Sequence, residues 1–514
     1  MVGGRGPGTS SGVASRLAGT IALSLLALAL TTLAGLAACG REQRPNVILI
    51  VSDDQGYADL GCQGVDEDVR TPNIDALAAG GVRMTNGYVT APQCVPSRVG
   101  FLTGRYQNRF GVETNAKGPL PLAVTTIPEQ LSEAGYVTGM VGKWHLAPRE
   151  KQLEWIQRRV PAATRATARE ALMLISRSEF APYEPGKRGF AYYFNGEMQT
   201  YRANYDLEGN DRDDGAFMDG KFRVDIQTEA ALAFIRRHRE EPFFLYLAYS
   251  APHAPLEAPE EYLRRFREEL PKRRRYALAM IAAMDDGVGR ILDTVREAGI
   301  EQRTLLFFMS DNGATLKMEK EDVPIWEEKG AWNGSLNEPW LGEKGTLLEG
   351  GIRVPFIAYW KGVLPEGEIF EAPVISMDIA ATALAVAAVG DDDPLDGVDL
   401  LPFITGRTDA VPHDALFWRW SGQAAVRSGR WKYLKLGDER EYLFDLGSDA
   451  DERLNRMSTH PQVAAELAER LDAWMGELQP PGLIRGPTPT ARRYLKFFLD
   501  RAVPPQPGGA TRPQ

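Results

Sequence analysis

The strongest constraint in this chain is a set of short, continuous apolar runs separated by segments of helical periodicity. Asn46–Ser52 reads NVILIVS, and similar runs follow at Tyr136–Val141, Phe243–Tyr249, Leu305–Ser310 and Phe356–Trp360. A strand with one face in water alternates apolar and polar residues, whereas a run without alternation belongs to a strand covered on both faces. Helical patterns lie between these runs, at Asn73–Ala79, Ser97–Thr103, Ile127–Ala134, Val224–Arg237 and Tyr276–Ala298. The alternation predicts an α/β fold over residues 46–405, a large and mostly parallel central sheet with helices on both faces. Residues 151–180 are Arg-rich and helix-prone, and 183–214 are rich in Tyr, Gly and Asp. Together, over about 150–220, they read as an insertion over one end of the sheet. After about residue 405 the pattern changes. Ala415–Trp420, Ala424–Arg427, Trp431–Leu436 and Tyr442–Asp445 read as short antiparallel strands, followed by a helix near Val463–Leu478. This predicts a small C-terminal α+β subdomain over 406–478, and a Pro/Gly-rich tail over 479–514.

With 44% apolar and 25% charged residues in 514, the chain can bury a sizeable core, which excludes wholesale disorder. A net charge of −10 argues against a nucleic-acid binder. Three cysteines cannot make a disulfide scaffold, and no C-x-x-C pair points to structural zinc. The N-terminus carries Arg5 and Arg16, then an uncharged Leu/Ala-rich segment from Leu17 to Ala38. A basic start, an apolar stretch and small residues at its end make an export signal. The segment closes on Leu36-Ala37-Ala38-Cys39-Gly40, which resembles a bacterial lipobox in which Cys39 becomes the lipidated first residue. The alternative is an uncleaved transmembrane anchor. Both place the body outside the cytoplasm on a membrane, with residues 39–45 as tether. Gly40 after the lipid cysteine points to outer-membrane sorting in a cell with two membranes.

In an open parallel sheet, ligands bind beyond the carboxyl ends of the strands. Asp53 and Asp54 follow the first run, Lys143 and His145 the second, His253 the third, and Asp311 and Asn312 the fourth. Asp53, Asp54, Asp311 and Asn312 are hard oxygen donors, a set that suits Ca²⁺ or Mg²⁺ rather than zinc. Separate helix caps and turns are the competing reading. Cys94-Val95-Pro96-Ser97-Arg98 opens a helix, where unpaired N–H groups and the dipole favour anions. Arg98 adds a fixed charge with a fork suited to sulfate or phosphate oxygens. A small buried cysteine in a turn is the alternative there.

These residues together resemble the formylglycine-dependent (type I) sulfatases of the alkaline phosphatase superfamily, and are arylsulfatase-like. The motifs are PNVILIVSDDQGYADLGCQG, TPNIDALAAGGVRMTNGYVTAPQCVPSRVGFLTGRY, GYVTGMVGKWHL, APHAP, SDNGAT and GEKGTLLEGGIRVP, in family order from about Pro45 to Asp445. The resemblance implies that a formylglycine-generating maturation enzyme oxidises Cys94 to formylglycine before the chain folds. It implies one Ca²⁺ held by Asp53, Asp54, Cys94, Asp311 and Asn312. It matches Arg98, Lys143, His145, His253 and Lys344 to sulfate-binding and proton-transfer positions. The implied reaction is hydrolysis of a sulfate monoester on a sulfated small molecule or saccharide. Cys62 is then left without a disulfide partner, a Cys62–Cys94 bridge being the competing reading.

Two other functions stay open on the sequence. One is a phosphodiesterase or phosphonate monoester hydrolase on the same scaffold, the other a catalytically silent glycan-binding lipoprotein. Tyr192, Tyr193, Tyr201, Tyr205, Trp326, Trp332 and Trp340 either line a leaving-group pocket or pack in core and loops. His238, His413 and His460 read as surface residues, and Asp285–Asp286 as facing solvent or a helix neighbour. Arg158, Arg159, Arg165 and Arg169 read as a solvated helix face, or as a docking surface for a polyanionic glycan.

Overall fold

A computed structural model describes residues 1–4, 44–317, 320–327, 331–390, 394–437, 440–480, 482–483 and 496–499. The chain divides into two units, residues 1–44 and 45–514, and all that follows concerns the second. The export and lipidation segment, with Cys39, lies outside the described residues, as does most of the tail.

Ten strands form the central sheet. In spatial order they are β11 (Glu368–Phe370), β2 (Val82–Met84), β10 (Phe356–Tyr359), β9 (Thr304–Ser310), β1 (Asn46–Ser52), β8 (Phe243–Ala248), β4 (Val137–Gly142), β5 (Tyr192–Met198), β6 (Thr200–Tyr205) and β7 (Asp211–Met218). The run from β9 to β5 is parallel throughout. Its apolar runs divide as a doubly covered strand must. Ile48 and Ile50 enter one core with the helices Arg223–Arg237 and Lys272–Glu297. Val47, Leu49 and Val51 enter another with the helices Cys94–Thr103, Ile127–Glu133 and Asp378–Val386.

Residues 183–214 do not cover an end of the sheet as the sequence reading has it. Tyr192–Met198 pairs in parallel with β4, and β6 and β7 follow antiparallel, so the segment lengthens the sheet at its edge. Residues 151–180 do fold as short helices, around a small core of Trp155, Ile156, Ala163, Ala168 and Ala171. A two-stranded sheet joins β3 (Gly87–Tyr88) to β12 (Val374–Ile375). The C-terminal strands β13 (Leu416–Trp420), β14 (Gln423–Ser428), β15 (Trp431–Leu436) and β16 (Arg440–Asp445) form an antiparallel sheet in sequence order. The helix Pro461–Gly476 shares a third core with them, and this core also takes in Leu347, Leu348 and Ile352.

Several polar residues are more deeply placed than their sequence context indicates. His238 is buried, sharing Nδ1 with Glu241 at 3.1 Å and lying against Tyr192 and Phe234. His413 is covered too, its Nε2 2.8 Å from Asp378. Only His460 of the three is exposed. Asp285 faces a helix neighbour, accepting the N–H groups of Asn73 and Ile74 at the start of Pro72–Ala79. Asp286 pairs with Arg265.

Candidate active site

Register places four strand ends at one level. Ser52 pairs with Ser310, so Asp53 and Asp311 leave adjacent strands side by side. Val51 and Gly142 both pair with Ala248, which brings Lys143 and the Ser250–His253 loop to the same edge. The sheet order β9-β1-β8-β4 therefore unites residues more than 250 positions apart in the chain. Two non-glycine residues there hold left-handed backbone, Asp54 (φ 62°) and His145 (φ 63°). Such angles persist only where surrounding structure imposes them.

The helix Cys94–Thr103 begins three residues before the sequence reading of Ser97. Pro96 concealed this, but a proline is tolerated in a first turn, whose N–H groups have no intrahelical partner. Cys94 is thus the first helical residue, and its side chain is buried. Gly104 ends the helix at φ 67°, donating its N–H to Gly100, which accounts for the glycine of the L-T-G-R motif.

Asp53, Asp54, Cys94 and Asp311 each offer a ligand atom within 4.8 Å of the others. Asn312 donates Nδ2–H to Asp54 at 2.7 Å, while its buried Oδ1 has no hydrogen-bond partner among the described residues. Three buried carboxylates around an unpartnered amide oxygen are a donor set fitted to a hard divalent cation. The charges agree. Burial opposes ionisation of Asp53 and Asp54, but Lys143, His253, Arg98 and Lys344 outweigh it at Asp53, and Lys344 and His253 at Asp54. Both stay below the usual carboxylate range. Burial and the neighbouring Asp53 push Asp311 up to about 6, which marks negative charge the protein itself does not fully neutralise.

Around this cage stand the cations. Lys143 Nζ lies 2.5 Å from Asp53 and 3.8 Å from Glu197. Lys344 Nζ donates to Asp54 at 2.6 and 2.8 Å and to Cys94 Sγ at 3.1 Å. Arg98 has no exposed surface and its fork is engaged inside the protein. Nε and one terminal nitrogen reach Asp311, and the other donates to Tyr246 Oη at 2.7 Å and the Lys143 carbonyl at 2.9 Å. Burial holds the Cys94 thiol well above its ordinary value. Burial and Lys143 hold His145 and His253 below the ordinary imidazole value. His253 Nδ1 sits 2.5 Å from the Ala254 carbonyl, which can only accept, so Nδ1 carries the proton. Its Nε2 faces Asp54 at 3.6 Å.

Asp53, Asp54, Cys94, Arg98, Lys143, His253, Asp311, Asn312 and Lys344 meet here, and His145, two residues after Lys143, lies in the field of Lys143, Arg98 and Lys344. Cys62 and Cys94 are both free thiols, which removes the bridge between them. Tyr246 and Glu197 were missed, although a hydroxyl inside the apolar FFLYLAY run, which holds Tyr246 and Tyr249, is a readable signal for the first. The aromatic assignments fare differently. Tyr201 and Tyr205 are buried in the core with Phe194, and Tyr192 packs on Tyr205 and Phe234. Trp332 is buried, Trp340 stacks under Arg353, and Trp326 is exposed. Tyr193 is half-buried against the other face's core, and of these aromatics only Trp326 is exposed. Trp420, unremarked in the sequence, lines a cavity beside Gln93 instead.

An oxygen-donor cage ringed by cations, at the carboxyl edge of a doubly covered sheet, is a set of residues that could hold a divalent ion beside an anionic ester. That is the arrangement of the alkaline phosphatase superfamily of hydrolases. Residues 45–389 match the family model described as Sulfatase. N-acetylgalactosamine-6-sulfatase of Canis lupus familiaris is 32% identical over 433 residues, covering 78% of this chain and 73% of its own. The crystal structure of Ps i-CgsB in complex with k-i-k-neocarrahexaose is 28% identical with a TM-score of 0.69, covering 88% of this chain and 97% of that one. A phosphonate monoester hydrolase of Agrobacterium radiobacter shares the fold, at 21% identity and a TM-score of 0.58 over 84% of this chain and 96% of that one. The chain belongs to the sulfatase family, and is a sulfuric ester hydrolase.

Proposed function

We propose that the protein is an exported, lipid-anchored sulfatase that removes sulfate from a sulfated carbohydrate, with Cys94 converted to formylglycine. The observation that carries this is the seat of Cys94, buried at a helix start beside three carboxylates and 3.1 Å from Lys344. Its Sγ marks the position that the hydroxyls of hydrated formylglycine would take. The carbohydrate reading draws on the relatives, one named N-acetylgalactosamine-6-sulfatase and one crystallised in complex with k-i-k-neocarrahexaose. Export and lipid anchoring rest on Leu17–Ala38 and Cys39 of the sequence. Among the described residues no helix is long and apolar enough to cross a membrane.

Asp53, Asp54, Asp311 and Asn312 would hold one divalent cation, Ca²⁺ or Mg²⁺ by the all-oxygen chemistry of the set and Ca²⁺ by the family resemblance, which would supply positive charge against the sulfuryl oxygens. The modified residue supplies one hydroxyl to attack sulfur and a second whose deprotonation lets the carbonyl reform and release sulfate. A serine has no second hydroxyl. Lys344 lies against the nucleophile position and favours its deprotonated form. Lys143 and Lys344 add charge where the sulfuryl oxygens gather. Arg98 acts through the protein, neutralising Asp311 and Asp53 and holding the Lys143 carbonyl. His253 presents an unprotonated Nε2 to the site; it takes the proton of the attacking hydroxyl and passes it to the departing alcohol as the S–O bond breaks. His145, kept neutral by burial and Lys143, accepts the proton of the second hydroxyl.

Paired kinetics on aryl sulfate, phosphonate monoester and phosphodiester substrates test the reading. A sulfate ester should have the highest kcat/KM. A large phosphodiester or phosphonate preference would overturn it in favour of the other hydrolases on this scaffold.

A further inference from the structure

The helix Arg223–Arg237 carries two buried polar side chains one turn apart near its start, Arg223 and Gln227. Both engage the loop that leads from β8 to His253. Gln227 holds its beginning, donating from Nε2 to Ser250 Oγ at 3.0 Å and accepting the Ser250 N–H on Oε1 at 3.3 Å. Arg223 holds its far end. One terminal nitrogen, Nη2, donates to the His253 carbonyl at 2.7 Å and to the Pro255 carbonyl at 2.6 Å. These carbonyls flank that of Ala254, which receives the Nδ1–H of His253. The acceptor that sets the tautomer of the imidazole is therefore pinned on both sides by one guanidinium.

The other contacts of Arg223 reach the end of β5 and Glu257. Nη1 lies 3.0 Å from Met198 Sδ, and Nε 3.4 Å from Glu257 Oε1. Gln227 also donates to the Gly196 carbonyl at 3.2 Å. The two side chains thus bracket Glu197, the carboxylate 3.8 Å from Lys143 Nζ. Arg223 is 3% exposed, so its donors must find acceptors inside the protein, and its shortest bonds to oxygen are those to the His253 loop. The His253 side chain is 35% exposed, and among the described residues its ring makes one hydrogen bond, within its own loop. Its aim follows the backbone that Arg223 fixes.

We propose that Arg223 is a positioning residue for proton transfer at His253. It acts through the backbone of residues 253–255, holding Nδ1 on Ala254 so that the free Nε2 faces the reacting oxygens. A displaced imidazole would oblige the departing oxygen to leave as an anion, a burden that grows with the basicity of the leaving group. This rests on the role of His253 in the sulfatase reading.

The test is the leaving-group dependence of kcat/KM over aryl sulfates, from 4-nitrophenyl to phenyl sulfate, in the full chain. Arg223→Met should lower kcat/KM for phenyl sulfate about tenfold more than for 4-nitrophenyl sulfate. Arg223→Lys keeps a charged donor without the fork, and should lose less in the same direction. It decides the matter if the methionine variant does not fold. Arg188→Met is the control. Arg188 is also buried and also donates to two carbonyls, those of Pro121 and Val124, but it precedes the start of β5, whereas Arg223 meets its end. That change should leave the leaving-group ratio unmoved. Equal losses across the series in the Arg223 variants, or the same steepening in Arg188→Met, overturn the proposal. A second readout needs no turnover. NMR of protein labelled at its histidine ring nitrogens, with His253 assigned by its loss in His253→Gln, should show Nδ1–H in the unsubstituted chain and a shift toward Nε2–H in Arg223→Met. An unchanged tautomer in that variant also overturns the positioning role. Absence of sulfate-ester turnover in the unsubstituted enzyme would instead sink the sulfatase reading and leave the tautomer to decide whether Arg223 positions the ring.

Discussion

Arg98 is the residue whose role differs most between its motif and its surroundings. The C-x-P-S-R sequence presents it as a fork for an ester oxygen, yet each of its nitrogens is bonded within the protein. Its field still reaches the site, through Asp53 and Asp311. Tyr246→Phe should therefore cost stability, because it removes one acceptor from a guanidinium with no access to water. The expected loss is about 1–3 kcal/mol in urea denaturation, with a lower kcat. Asp53→Ala should release the divalent ion as well as abolish turnover. Metal content after desalting checks this, and retained stoichiometric metal would contradict the ligand set. At this scale Asp53, Asp54, Lys143, His145, His253 and Asp311 were legible because each closely follows a buried strand, whereas Lys344 was named only by the family resemblance. Glu197 and Trp420 were not legible, because no local pattern says that β5 turns a carboxylate toward Lys143 or that a C-terminal strand sets Trp420 beside Gly345.

Helix and strand boundaries were legible where burial wrote them into composition, and illegible where it did not. Asn46–Ser52 and Trp431–Leu436 run over the same residues in sequence and structure. The strands Thr200–Tyr205 and Asp211–Met218 were not readable as strands, since β7 mixes exposed with half-buried positions and opens on four charged side chains, Asp211 to Asp214. The helix Cys94–Thr103 offers a test at the same scale. Gly104 has φ 67°, and a Cβ there would lie 3.0 Å from Ala380 and from Leu395. Gly104→Val should cost at least about 1–2 kcal/mol, from left-handed backbone alone, read as a lowered melting temperature. An unchanged melting temperature would show that this C-cap does not fix the helix.

Across the whole molecule, the C-terminal sheet is tied to the catalytic body by buried charge as well as by the shared apolar core. Lys432 on β15 lies 2.9 Å from Glu349 and 2.8 Å from Glu452, all three without exposure. Glu349 also accepts from Tyr88 at 2.6 Å, on β3. Lys432→Met should destabilise the protein by about 3–5 kcal/mol, since it leaves Glu452 buried without its cation and Glu349 with Arg353 in place of two. Denaturant unfolding checks this, and a neutral result would mean that the sheet docks on apolar contacts alone. A second long-range tie is pH-sensitive. Burial works against protonation of His413, but the Asp378 carboxylate outweighs it and raises the imidazole above its ordinary 6.5. The stabilisation is therefore complete below that value and lost as the pH rises through the folded-state value. The melting temperature of the native chain should fall over that interval relative to His413→Gln, and parallel profiles would contradict the pair. Neither tie was visible in the sequence, where Lys432 sits in an ordinary strand and His413 in a polar loop.

The account depends most on the chemical state of position 94. Mass spectrometry of the tryptic peptide Met84–Arg98, taken from protein that turns over a sulfate ester, reads that state directly. The peptide should have lost H₂S and gained one oxygen, the change from cysteine to formylglycine. An intact thiol at Cys94 in active protein would contradict the account.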